Sequence, residues 1–161
     1  MISLRAIFRA GLVRRWHQSP DLSHLTDTLD GHQGRVARLI VALHPSPSVA
    51  LLRAALTHDD AEAITGDWPQ PFKAALPNMI RDWLDVIEAD AHESMWGKSE
   101  TIDLAWLKFA DRLDAYMFAA HHAPRLMFQA DWCKSRAWII GQSPALGCAA
   151  VVQKYLKEMD T

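Results

Sequence analysis

Apolar residues recur along this chain every three to four positions, the period of a helix that packs by one face. Ile2, Leu4, Ile7, Phe8 and Leu12 form such a stripe at the start. Pro20 and the Ser/Asp/Thr-rich stretch behind it predict a loop. Asp30 is placed to cap a second helix that runs to about Leu43, with Val36, Leu39, Ile40 and Leu43 on its inner face. His44-Pro45-Ser46-Pro47 closes that helix. Ser48 caps a third, whose apolar side is Val49, Leu52, Leu56 and Ile64 and whose end is set by Gly66, Pro69 and Pro71. A fourth helical region covers 72–92 with an interruption at Pro77. A long helix over 100–120 carries Ile102, Leu104, Trp106, Leu107 and Leu113, and two more follow over 124–140 and 143–159, parted by Gly141 and Pro144. β-Branched residues are sparse, and no hairpin dipeptide sits between alternating runs. The pattern predicts an all-α, single-domain bundle of about seven helices over residues 1–161.

Composition narrows this picture. Of 161 residues, 50% are hydrophobic and seven are Trp, enough for a core without disulfides or a structural metal. The net charge of -2 argues against a broad basic face for a nucleic acid polymer. Arg5, Arg9, Arg14 and Arg15 precede the first acid, Asp21. They read as an ordinary first helix, because Arg5 and Arg9 interrupt the apolar run and no small-residue cleavage site follows. No stretch approaches the roughly 18 apolar residues of a membrane span. Cys133 and Cys148 lack any pair motif and read as buried free thiols of a reducing compartment. Trp83, Trp106 and Trp138 read as core. Together these features predict a cytoplasmic protein that engages no membrane.

Candidate chemistry begins with His58-Asp59, adjacent metal-capable side chains at the end of an otherwise apolar helix. Two donors hold a divalent ion poorly, so others must come from elsewhere. His32 lies near the start of the preceding helix, and Asp111 lies within the apolar middle of the long one, where a carboxylate is costly unless paired or bound to metal. Each has an ordinary alternative: His32 as a surface or capping residue, Asp111 as a partner of Arg112 or Lys108. His121-His122 cannot chelate one ion alone, since neighbours on a helix point about 100° apart. His24 and Asp27 lie in the loop before His32, within reach of a substrate bound there.

The order His32, His58-Asp59, Asp111 resembles the ligand pattern that defines the HD superfamily of phosphohydrolases. The run His58-Asp59-Asp60-Ala61-Glu62-Ala63-Ile64-Thr65-Gly66-Asp67-Trp68-Pro69, with Pro71 and Lys73 in register, is similar to the central motif of the bacterial 5′-deoxynucleotidase branch. Residues 108–116 resemble that branch's final ligand helix, and Arg15-Trp16 its substrate-facing pair. Compact phage-type HD triphosphohydrolases that act on dATP resemble the chain equally. The interval from Trp16 to His32 is slightly longer than in the deoxynucleotidases, and residues beyond 120 carry no matching motif.

The resemblance implies an HD-type helical bundle holding one divalent metal ion (Mn, Co, Zn, Fe, Ni or Mg) on His32, His58, Asp59 and Asp111. That ion would polarise a phosphate oxygen and acidify a bound water. It further implies Glu62 as the residue that orients or deprotonates the water, and Asp67 as a catalytic, sugar-contacting carboxylate. Arg15 would clamp phosphate, Trp16 would stack on the base or crowd the 2′ position, and Lys73 would add a second positive contact. For Glu62 the ordinary alternative is a solvated acid, for Asp67 a turn residue, for Lys73 an exposed lysine. The implied substrate is a nucleotide, most directly a 2′-deoxynucleoside monophosphate; dATP or another dNTP is the alternative, and a non-catalytic nucleotide-binding module a second. Guanosine alarmone hydrolases of the superfamily carry an acid after the motif glutamate, where Ala63 stands here. A homodimer or higher homo-oligomer is also implied.

Overall fold

The computed structural model describes residues 3–98 and 100–159, and of Gln70 the backbone alone. Ile2, first of the N-terminal stripe, lies outside the described residues. Among those residues the chain is entirely helical, with no strand: α1 (Leu4–Gly11), α2 (Leu29–Leu43), α3 (Val49–Ala55), α4 (Glu62–Thr65), α5 (Gln70–Ala75), α6 (Asn78–Trp96), α7 (Leu104–His122), a 3-10 helix (Pro124–Phe128), α8 (Ala130–Gln142) and α9 (Ala149–Met159). One isolated antiparallel bridge joins Arg14 and Thr28. No helix among the described residues is long and apolar enough to cross a membrane.

Several helices start and stop for the reasons visible in the sequence. The Asp103 carboxylate accepts the Ala105 and Trp106 N–H groups, satisfying donors that open α7. Ser48 Oγ accepts from Leu51 N–H at 3.1 Å and caps α3. Pro77 separates α5 from α6. Asp30 is displaced from the expected cap: α2 begins at Leu29, and Asp30 sits in its first turn, where a negative charge suits the helix dipole.

Two compact units divide the chain, one of Met1–Gly34 with Leu56–Thr101, the other of Arg35–Ala55 with Ile102–Thr161. The second has an apolar core. Trp106, Leu107, Phe109, Ala110, Leu113 and Tyr116 of α7 pack with Val36 and Ile40 of α2, Leu51 and Ala55 of α3, Ile139 of α8, and Val152 and Leu156 of α9. Each large side chain buried this way stabilises the fold by about 1.5–3 kcal/mol. One buried charge interrupts this core: Asp114 takes a forked pair of bonds from Arg35, at 2.7 and 3.1 Å, and that guanidinium lies 5.0 Å over the Phe118 ring. Such two-point pairing compensates for the loss of water.

The first unit is different inside. Its buried apolar residues are few and often small: Ala10, Leu22, Leu29, Ala61, Ala91 and Met95. Beside them it buries Arg15, Asp27, His32, Gln33, Thr57, Asp60 and Glu62.

Three expectations about the outer faces are corrected. Most of the α1 stripe points outward, with Leu4 80% and Phe8 70% exposed, Leu12 also exposed and Ile7 alone half-buried among its described members. The small residues make the contact instead, for a Cβ on Gly11 would stand 3.1 Å from that of Asp30. Trp83 is 63% exposed on α6, beside exposed Met79, Ile80 and Val86, and is no core residue. Cys148 is buried but Cys133 is exposed, its thiol donating to the Met127 carbonyl at 3.4 Å.

The third helix is also shorter than expected. It ends at Ala55, and 56–61 is a succession of turns before the single turn of α4. Asp60, Glu62, Ala63 and Ile64 each bond back to the carbonyl three residues earlier. Polar side chains that find local or tertiary partners compete with a continuous helix in this way. Leu51 and Ala55 become the inner residues of α3, while Val49, Leu56 and Ile64 are exposed.

Candidate metal centre

His32 enters on the first turns of α2, its N–H bonded to the Thr28 carbonyl at 3.0 Å and its ring fully buried. His58 and Asp59 project from the turns at 57–61. Asp59 Oδ2 stands 3.5 Å from His32 Nε2 and 3.4 Å from His58 Nε2. The rings are tilted, with centroids 5.4 Å apart, and one donor atom from each of the three residues lies within 4.8 Å of the others. Donors held about 2.1 Å from one ion at tetrahedral angles stand about 3.4 Å apart, so the spacing of both His–Asp pairs suits a shared cation. Two imidazoles and a carboxylate form a set that takes first-row divalent metals. Burial works to raise the Asp59 carboxyl, but the imidazoles of His58 and His32, with the Arg15 charge, outweigh it and hold the group well below the usual carboxylate range.

Glu62 follows in the same segment, its N–H bonded to the Asp59 carbonyl at 2.8 Å. One oxygen, Oε1, accepts from Lys73 Nζ at 3.1 Å, whereas Oε2 is buried with no hydrogen-bond partner among the described residues. Burial and the Asp59 charge push this carboxyl up to about 8, against the pull of Lys73. Lys73 is buried enough to disfavour its own charge, yet Glu62 and Glu88 prevail and raise it. Its ammonium is therefore engaged by carboxylates, including Glu88 at 3.8 Å.

Arg15 and Trp16 approach from the segment between α1 and α2. The Arg14–Thr28 bridge and the Arg15 N–H to Asp27 carbonyl bond, 3.0 Å, hold that segment against the start of α2. Trp16 adopts a φ of +62°, the left-handed region that costs a side chain about 1–3 kcal/mol unless its surroundings enforce it. Two carboxylates do so: Asp67 Oδ2 accepts the Trp16 backbone N–H at 3.1 Å, and Asp27 Oδ2 accepts the indole N–H at 3.0 Å. The same Asp27 oxygen lies 3.8 Å from the Arg15 guanidinium.

Of the residues expected to act together, the first unit therefore holds His32, His58, Asp59, Glu62, Asp67, Lys73, Arg15 and Trp16. Asp111 lies half-buried on α7 of the second unit. His121 and His122 are exposed at the end of that helix.

The sequence did not single out Gln33, Asp60, Glu88 or Trp96, and it left His92 without a role. Asp60 accepts from Gln33 at 2.9 Å and from Trp96 at 2.8 Å; His92 meets Thr57 at 3.2 Å; Thr65 donates to Glu88 at 2.8 Å. The available signal was the four-residue spacing of positions 88, 92 and 96.

No protein-family model, curated protein or solved structure matches the chain.

Proposed function

We propose that this protein is a metal-dependent phosphohydrolase of the HD type, acting on 2′-deoxynucleoside 5′-phosphates. One observation carries the reading: a polar interior gathers three metal-capable donors within 4.8 Å, a buried glutamate bonded to the same turn, and a buried arginine whose charge bears on Asp59. An all-apolar interior would be cheaper to fold, so buried polar clusters of this kind mark functional sites.

A divalent cation on His32, His58 and Asp59 would supply Lewis-acid polarisation of a phosphoryl oxygen. The sequence pattern adds Asp111 as a further donor. Arg15 presents a planar guanidinium suited to two phosphate oxygens, and Asp27 limits where it can swing. Glu62 takes a proton from the attacking water through Oε2, which has no hydrogen-bond partner among the described residues. Water oxygen joins phosphorus, the bond to the 5′ oxygen breaks, and the proton that Glu62 accepted is the one the leaving alkoxide requires. Lys73 holds Glu62 Oε1 and so fixes the orientation of that carboxylate. Trp16, locked by Asp27 and Asp67, forms the wall against which the sugar is read.

The deciding experiment incubates metal-reconstituted protein with dAMP, AMP and dATP, with Asp59→Ala as control. Phosphate from dAMP and not AMP is the expected result. Triphosphate from dATP would instead favour the dNTP-hydrolysing branch that the sequence resembles equally. Nucleotide binding without turnover under Mn, Co, Zn, Fe, Ni and Mg would leave a binding module and sink the enzymatic reading.

A further inference from the structure

We infer that Asp60 is the positioning residue of the metal centre, fixing the separation of the two chain segments that bring its donors together. This rests on the metal reading above. His32 comes from α2, whereas His58 and Asp59 come from the turns that follow Leu56. The chain that joins them, residues 33–57, is too long to set the distance between them by itself. Asp60, 3% exposed, spans the gap: Oδ1 accepts from Gln33 Nε2 at 2.9 Å, and Oδ2 accepts from Trp96 Nε1 at 2.8 Å. Gln33 is the neighbour of His32, and Asp60 is the neighbour of Asp59. The Gln33–Asp60 bond therefore runs beside the donor set, one residue removed on each side.

The other end of this brace is α6. Trp96, His92 and Glu88 stand four residues apart and share one helix face. Trp96 takes Asp60, His92 meets Thr57 Oγ1 at 3.2 Å, and Glu88 accepts from Thr65 Oγ1 at 2.8 Å. One stripe of a nineteen-residue helix thus holds the turn that carries His58 and Asp59 at two points and the end of α4 at a third. An aspartate suits the central place because both its neighbours are N–H donors and it offers one acceptor oxygen to each. Residues that orient ligands without touching the ion change metal affinity by about 10–100-fold when lost.

The test uses cobalt(II) alone, read by its visible absorption band and by the affinity from titration. Asp60→Ala removes both bonds and is expected to weaken cobalt binding about 10–100-fold and alter the band, with helical circular dichroism retained. Gln33→Met keeps bulk, removes only the bond between the two segments, and is expected to weaken binding in the same direction; it carries the test if Asp60→Ala does not fold. Asp60→Asn can keep both bonds if the Gln33 amide turns over, so it is expected to preserve the band and bind better than Asp60→Ala. Wild-type affinity and band in folded Gln33→Met or Asp60→Ala overturn the inference. An Asp60→Asn protein as weak as Asp60→Ala assigns the effect to charge and overturns positioning. A wild-type protein without a cobalt band refutes the metal reading itself, before any variant is compared.

Discussion

Glu62 has one oxygen on Lys73 and one buried with no hydrogen-bond partner among the described residues, so its carboxyl is poorly solvated, as the proposed base would be. Glu62→Gln keeps the shape and removes the base; kcat for the proposed reaction is expected to fall about 10²–10⁴-fold, with metal per chain unchanged by elemental analysis. Arg15→Ala is expected to raise KM for the phosphorylated substrate and leave metal content as it was; the reverse pattern would move Arg15 out of the phosphate site. The raised Glu62 also makes a stability prediction for metal-free protein. Between its ordinary value of 4.5 and about 8, the folded state keeps a proton that the unfolded chain releases. Stability from this group is therefore present at pH 4.5 and is lost as pH climbs towards 8, by an amount of the order of a few kcal/mol. Urea titrations across that window are expected to show the decline in wild type and a flatter profile in Glu62→Gln. Asp59, held low, acts in the opposite sense, and its contribution disappears only as the medium becomes more acid than an ordinary carboxylate.

At the scale of elements, periodicity located the helices well where the partner surface is apolar. Val36, Ile40, Trp106, Leu107 and Leu113 all fall in the core they were expected to form. It failed where function-like polar residues redirect the chain. The expected helix through His58 breaks at Ala55, because Thr57, Asp60 and Glu62 turn inward to partners that periodicity does not encode. It failed again on α1, where the close approach of Gly11 and Asp30 sets the packing and the large residues are left outside. The candidate donors were legible as residue types in order. Their braces were not, since the bonds to Asp60 join positions 27 and 36 residues away. Gly66 closes α4 at φ +86°, ψ +154°, a region nearly confined to glycine. Gly66→Ala is expected to cost about 1–3 kcal/mol, read as a lowered Tm, although no neighbour would obstruct the added methyl, the nearest atom being Trp68 Nε1 at 3.7 Å.

Over the whole molecule, the second unit packs on aromatic and aliphatic side chains, while the first surrounds charges and imidazoles. Amide hydrogen exchange is expected to be slowest in α7. On the metal reading, exchange at 57–65 and 13–28 is expected to slow when cation is added and quicken with chelator, because a ligand that binds only the folded form stabilises it. Equal exchange with and without cation would separate the centre from the stability of its unit. The polar interior of the first unit has a consequence for the protein's persistence. A segment whose closure depends on a bound ion becomes cleavable when that ion is scarce, so proteolytic half-life would follow metal supply. On the metal reading, protein starved of cation would be removed by turnover, and its abundance would report the metal status of whatever compartment holds it.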